Sequence, residues 1–516
     1  MSNLELMIIE QKEVSKKKNF FDKLMIYSIA LLISAIALYF GSANSPIYSF
    51  NDNLDQNWFI TMGNGLLQGK LPYRDLFEQK GPLLYFVFAF FCLFNPYRMV
   101  LLAEILTLSI FLYFVYHIAI RKTNKSLSLI AMLVVAFVVV TSTFFKNHGG
   151  SVEEFFLPII AYMLLCMFEF VEDNKEFGVK RSIAIGVSLG LMFWIKFTTL
   201  LLPAIMLIIW LVFTIKRKNA KKAVKSILIM LASFVVVTLP IIIYFMANHC
   251  LMDMLRVYIY KNIFGYAGSS VSAGAKRALE NASVMSILST IILTAISIIF
   301  MAVGVIAYAK EKRKGSIWYI ILVIGGAILQ TVIKLFLYYY LVFEVFAAVG
   351  VIYFLKLFEK VKLDKVMRYY TAALICSLFG VGVAFVPQTI QEVGFNDYYY
   401  PQKYFANEIK NYEIENPSLF CYNMLDFGFY NAAGIVPDEY YFARNNFSYE
   451  ALPEMFDSFD LAVSEAHADF VVAYKNDYEE KSELFEKYTL VCEQSYVRYK
   501  YNIRHEKLTF VLLKKI

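Results

Sequence analysis

Charge is scarce in this chain of 516 residues: 18% are Asp, Glu, Lys or Arg, against 59% hydrophobic. That balance excludes a disordered, charge-solvated polymer and exceeds what a soluble domain of this length needs. Cysteine is scarce too, with six residues and no CxxC or Cys/His ligand spacing, so neither a zinc-built nor a disulfide-built fold is indicated. Cys92, Cys166, Cys250 and Cys376 fall in or near apolar segments and read as small core residues. Cys421 and Cys492 lie nearer the C-terminus, where they either stay free or pair if that part meets an oxidising compartment. There is no short apolar core with a small-residue cleavage site near residue 30, so the first hydrophobic run is expected to remain as an anchor. Lipidation motifs and internal repeats are missing as well. The net charge of +7 sits mostly on lysines of short loops, which reads as membrane topology rather than nucleic-acid affinity.

Long hydrophobic runs are what the chain has in abundance. Leu24 to Ala43, Leu127 to Phe145 and Ala223 to Phe245 each supply roughly the 20 residues that a helix needs to cross a bilayer. Lys12, Lys16, Lys17, Lys18 and Lys23 precede the first run and place the N-terminus in the cytoplasm. Basic loops at 121–125, 175–181, 216–225, 310–314 and 356–368 belong on the same side. Helical pairs between them (127–145 with 155–171, 182–195 with 199–215, 223–245 with 286–308, 316–335 with 336–355) and a last helix near 369–387 satisfy that rule. Gly81 to Phe94 is apolar but short, and is expected to dip into the membrane or lie at its surface. The sum is about 11 to 13 transmembrane helices.

The expected fold class is therefore an α-helical polytopic membrane protein with a small α/β extracytoplasmic C-terminal domain. A cytoplasmic segment, 1–23, precedes a membrane domain, 24–390, with an external loop at 47–80, and a soluble domain follows at 391–516. In the last, SLFCYNML, ADFVVAY, YTLVCEQ and LTFVLLKK read as short strands, while KYFANEIKNY and SYEALPEMFDSFDLAVSEA carry helical spacing.

On this topology the external face collects the polar segments. The stretch from Asn51 to Pro82 puts Asp52, Asp55, Arg74, Asp75, Glu78 and Lys80 beside the bilayer, where charge keeps its hydration and can still meet a lipid-borne substrate. Chemistry on a phosphate-linked lipid needs a carboxylate to take a proton from the acceptor, cations for the leaving phosphate, and apolar walls. Asp55 is the first candidate for the base and Asp52 the second; the alternative is that they are loop residues or N-caps of the helix that follows. Lys80 stands at the loop-to-membrane boundary as a phosphate contact or a snorkelling lysine. Arg74 contacts phosphate or pairs with Asp75. Glu153 and Glu154 open a helix, either capping it or forming a second acidic site, to which His148 could add a divalent metal ligand. Lys196, Arg256, Lys261 and Lys334 are external cations against the positive-inside trend, for which phosphate binding supplies a reason. Glu104, His117 and Glu344 fall inside predicted crossings, where they serve function or interhelical hydrogen bonds.

At these residues the chain resembles the GT-C class of membrane glycosyltransferases, specifically glycosyltransferase family 39, which includes protein O-mannosyltransferases and aminoarabinose transferases, and within it an uncharacterised bacterial branch. The pieces that carry the likeness are Asp55 in DQNWFITMGNGLLQ, the block GKLPYRD to KGPLLYF, then SVEEFFLP and KFTTLLLP. The resemblance implies a polyprenyl-phosphate sugar donor, Asp55 as the acid of the first external loop, Lys80 as the lysine of the family's K-P-P-L segment, and Glu153 or Glu154 as the acid of the second. Gly81 departs from that segment. Tyr338, Tyr339 and Tyr340 stand where the family has a His-Tyr pair, so Tyr339 is the candidate donor contact there. The acceptor, whether protein, cell-wall polymer or lipid, does not follow. The expected function is transfer of a sugar from a polyprenyl-phosphate donor at the outer face of the cytoplasmic membrane; a transporter or flippase, or a ligase or polymerase, for lipid-linked saccharides is the alternative. The sequence assigns no definite cofactor, a divalent metal is possible, and no nucleic acid is expected as a partner.

Overall fold

The computed structural model describes residues 3–145, 149–265, 284–333, 337–362, 364–385, 394, 396–500 and 504–516. Helix α1 (Asn3–Gly41) is followed by α2 (Leu54–Leu67), α3 (Pro82–Cys92), α4 (Pro96–Ala119), α5 (Lys125–Thr141), α6 (Leu157–Glu172), α7 (Val179–Lys196), α8 (Leu201–Lys216) and α9 (Ala220–Ala247). Beyond them run Val284–Lys312, the pieces Ile317–Ile320, Ile321–Gly325 and Gly326–Ile333, then Glu344–Lys356 and Lys365–Phe385. Among the described residues, 8 segments are long and apolar enough to cross a membrane. One of these, Val179–Lys216, is the pair α7 and α8, broken by a short 3-10 turn at Phe197–Leu200. The chain is a multi-pass membrane protein.

Each predicted helical pair is present, and the short Gly81 to Phe94 run becomes α3. Its 11 residues rise about 16 Å, roughly half the hydrocarbon thickness. Pro82 begins it, with the fixed φ and missing N–H that suit the first helical position. Burial separates the central helices from the rim: the Tyr338–Lys356 window is 78% buried, whereas Val366–Phe385 is 11% buried and presents its apolar side chains outward.

The C-terminal part carries a four-stranded sheet in the order β1-β2-β4-β3. Strand β1 (Leu419–Cys421) runs parallel to β2 (Phe470–Tyr474), while β3 (Tyr488–Lys500) and β4 (Arg504–Lys515) form a long antiparallel hairpin, so the last two strands exceed the short runs expected from sequence. Cys421 on β1 and Cys492 on β3 sit at opposite edges of the sheet and are both free thiols. The helix expected from Ser448 starts only at Pro453, where proline fixes its first turn.

The sheet layer is joined to α2 and the loop after it. Thr61 Oγ1 donates to Asp426 Oδ2 at 2.6 Å, Asn431 Nδ2 donates to the Asn57 carbonyl at 2.9 Å, and the Phe77 N–H donates to the Tyr440 carbonyl at 2.9 Å. Buried polar pairs of this kind fix one docking geometry, because separating them would leave orphaned donors and acceptors.

Candidate active site

Helix α2 begins at Asn53, whose side chain accepts from the Gln56 N–H; Asn53, and neither aspartate, is the N-cap. Asp55 falls in the first turn, where the helix dipole favours negative charge, and is half-buried. It lies within Coulombic reach of Lys80, Lys196, Tyr338 and Tyr339, groups drawn from three other segments of the chain.

Lys80 is held through its own main chain. Its N–H donates to Glu78 Oε2 at 2.7 Å, and its carbonyl accepts from Tyr73 Oη at 2.6 Å and Tyr85 Oη at 3.0 Å. The Tyr85 hydroxyl also meets the Glu78 carboxylate. Tyr73 adopts φ +71°, an uncommon conformation for a bulky residue, and is fully buried while making this contact. The Lys80 ammonium stands 3.4 Å from Glu78 Oε1 and over the Phe59 ring. Burial pulls its pKa down, but Glu78 and then Asp55 outweigh that and leave it above the ordinary lysine value.

Lys196 ends α7. Its backbone turns extended, at φ −161°, as the helix gives way to the Phe197–Leu200 turn, and its buried side chain forms an ion pair with Glu153. The Tyr339 ring covers its ammonium at 4.0 Å and Tyr338 lies at 5.2 Å. A small cavity opens beside this pair; Glu153, Thr198, Thr199, Gln330 and Tyr339 supply its polar lining.

Asp55, Lys80, Lys196, Glu153 and Tyr339 thus gather at one place. The other sequence candidates do not. Asp52 accepts from Tyr496 Oη at 3.3 Å, at the seam with the sheet. Arg74 is engaged by its neighbour Asp75 at 2.9 Å and 3.0 Å, and that hydrogen bond holds the Asp75 carboxyl below the usual range. Arg256 is exposed and faces Tyr440 and Tyr441. Glu154 accepts from the Ser151 N–H at 2.8 Å and hydroxyl at 2.9 Å, which holds it in the turn ahead of α6. Among the described residues no cluster of three or more His, Cys, Asp or Glu is placed to hold a metal ion. His148 and Lys334 lie outside the described residues.

Glu104 is a hydrogen-bond hub, whereas the Glu344 carboxylate keeps one buried oxygen, Oε2, without a partner among the described residues. Glu104 accepts from Ser42 Oγ at 2.7 Å and the Gly150 N–H at 2.7 Å, and Glu344 from Ser297 Oγ at 2.6 Å. Sequence reasoning missed Gln330, an uncharged amide inside an apolar run, and gave no role to Glu78, the direct partner of Lys80.

Residues 79–244 match the family model described as dolichyl-phosphate-mannose-protein mannosyltransferase. Across its length the chain is similar to ArnT from Cupriavidus metallidurans bound to undecaprenyl phosphate: TM-score 0.59, 11% identity, 95% of this chain and 97% of that chain covered. The same protein in the apo state gives a TM-score of 0.56 at 11% identity, again with 95% and 97% covered. The chain shares the fold of ArnT. The stretch that matches the family model contains Lys80, Glu153 and Lys196 but begins after Asp55. Among curated proteins, none matches the sequence.

Proposed function

We propose that this chain transfers a sugar from a polyprenyl-phosphate-linked donor to an acceptor at the outer face of the cytoplasmic membrane. The observation that carries the reading is the convergence of Asp55, Lys80 and Lys196, a carboxylate and two buried or half-buried cations from separate segments. In this reading Asp55 takes the proton from the acceptor nucleophile as it attacks the anomeric carbon. Lys80 and Lys196 stabilise the charge that grows on the phosphate as the glycosidic C–O bond breaks. The resemblance of fold to ArnT solved with undecaprenyl phosphate supports the donor class. A flippase would collect its polar groups at mid-depth with inverted repeats, and neither feature is present in the sequence.

The test is transfer from a labelled polyprenyl-phosphate sugar in proteoliposomes made with a membrane extract as the acceptor source. Asp55→Asn keeps the shape and removes the base, and is expected to slow transfer by about 10²-fold or more. A rate for Asp55→Asn equal to that of the unaltered protein would refute the assignment.

A further inference from the structure

The end of α2 that carries Asp55 is bracketed by a polar network whose centre, Glu104, has no part in the chemistry proposed above. Glu104 lies on the spanning helix α4 and is 2% exposed, a setting in which a carboxyl group is costly unless it is hydrogen-bonded. Three donors converge on it: Ser42 Oγ at 2.7 Å and Asn44 Nδ2 at 3.2 Å meet its Oε2, and the Gly150 N–H meets its Oε1 at 2.7 Å. The Glu154 carboxyl meets it as well, so one proton is held between the pair.

Two arms lead from Glu104 to α2. On one side Asn44 and Gln56 exchange amide bonds, Asn44 Nδ2 donating to Gln56 Oε1 at 3.0 Å and Gln56 Nε2 to Asn44 Oδ1 at 2.6 Å. On the other, Asn53, the N-cap of α2, donates from Nδ2 to the carbonyl of Gly149, the neighbour of Gly150, at 2.9 Å. Asp55 stands between Asn53 and Gln56 in sequence. Among the described residues, no buried side-chain polar atom of Ser42, Asn44, Asn53, Gln56 or Glu104 lacks a hydrogen-bond partner. A buried network satisfied throughout is rigid, because any shift orphans a donor or an acceptor.

We infer that Glu104 is a positioning residue for the base, fixing where Asp55 stands relative to Lys80 and Lys196. The inference rests on the glycosyl-transfer reading and adds a residue to it. The lysines are held by other groups, Lys80 by Glu78 and Lys196 by Glu153. The place of the base can therefore be lost while the phosphate site remains.

The experiment uses the full-length protein. In proteoliposomes with a membrane extract as the acceptor source, it measures kcat and KM for the best donor among a panel of labelled decaprenyl-phosphate hexoses and pentoses; in nanodiscs, it measures binding of bare decaprenyl phosphate. Glu104→Met answers none of the three donors and is expected to lower kcat about 10²-fold, with donor KM and phosphate binding within about threefold of the unaltered protein. Glu104→Gln keeps an oxygen for the Gly150 N–H and an N–H for Glu154, and should run about tenfold faster than Glu104→Met. On an Asp55→Asn background Glu104→Met should slow transfer no further, because the group it positions is gone. If Glu104→Met does not fold, Gly150→Ala strains the network from the far side, at φ +80° with its Cβ 2.0 Å from Gln56 Oε1, and is held to the same kcat loss, the same intact binding and the same non-additivity. An unchanged kcat, a parallel loss of phosphate binding, a Glu104→Gln variant as slow as Glu104→Met, or losses that add to that of Asp55→Asn each overturns the inference. No transfer by the unaltered protein from any donor of the panel overturns the transfer reading itself, and this role of Glu104 with it.

Discussion

The Gly81 N–H donates to the carbonyl of Ile195 at 2.9 Å, tying the residue after Lys80 to the residue before Lys196. Two cations 116 positions apart in sequence (196 − 80) become neighbours through one main-chain bond. Proline, which the related K-P-P-L pattern would place here, has no N–H to give.

Gly81→Ala tests the junction. The backbone at Gly81, φ −72°, suits any residue, but an added Cβ would stand 2.0 Å from the Trp194 carbonyl oxygen and 2.4 Å from its carbon, both main-chain atoms. Loop and helix must move apart. A displacement of that order at the reacting groups can cost about 10²-fold in rate, while overpacking destabilises by about 1–3 kcal/mol. Transfer rate and thermal midpoint measured together check this; transfer within threefold of the unaltered protein would show that the spacing of the two lysines is unimportant.

Glu78→Gln and Tyr85→Phe are expected to weaken binding of polyprenyl phosphate about tenfold by loosening Lys80, since each loses one charged or hydroxyl contact of the clamp. A role exercised through Lys80 has a signature in a double-mutant cycle: on a Lys80→Ala background, Glu78→Gln should add nothing further. Losses that simply add would identify Glu78 as general scaffold.

Much of this arrangement was legible from the sequence because hydrophobic runs report crossings and cations outside the positive-inside pattern ask for anionic partners. The helical pairs follow from the first and the choice of Lys196 from the second; Asp55 and Lys80 were chosen as the carboxylate and the boundary lysine of the first external loop. What charge cannot report is the neighbour. Arg74 and Arg256 satisfy the same rule as Lys196, yet one folds onto Asp75 and the other faces Tyr440 and Tyr441. Gln330 was invisible for the opposite reason, since a neutral amide in an apolar helix carries no charge to mark it as lining a cavity.

Lys196 and Glu153 separate stability from function. Lys196→Met leaves the Glu153 carboxylate buried beside no cation, a change that typically costs about 3–5 kcal/mol. Lys196→Met with Glu153→Gln removes both charges, and its thermal midpoint is expected to return toward that of the unaltered protein. Binding of polyprenyl phosphate should not return, because the cation is still missing. A double variant that binds normally would confine Lys196 to a structural role.

The seam between α2 and the sheet carries its own pH dependence. Asp426 is fully buried, accepts from Thr61 Oγ1 at 2.6 Å and from the Gly428 N–H at 2.8 Å, and its pKa is raised to about 6, burial outweighing both hydrogen bonds. A carboxyl whose folded pKa lies above its unfolded value favours folding when protonated. Its contribution is therefore complete below the ordinary aspartate pKa near 3.8 and is lost as pH rises toward about 6, with little change beyond. At about 1.4 kcal/mol per pKa unit the swing is about 3 kcal/mol. Asp426→Asn, which stays neutral at every pH, should exceed the unaltered protein in thermal midpoint at pH 7.5 and lose that advantage at pH 4.5. Thermal unfolding of both proteins between those values measures the difference, and a constant gap across the range would mean that Asp426 does not titrate within the seam.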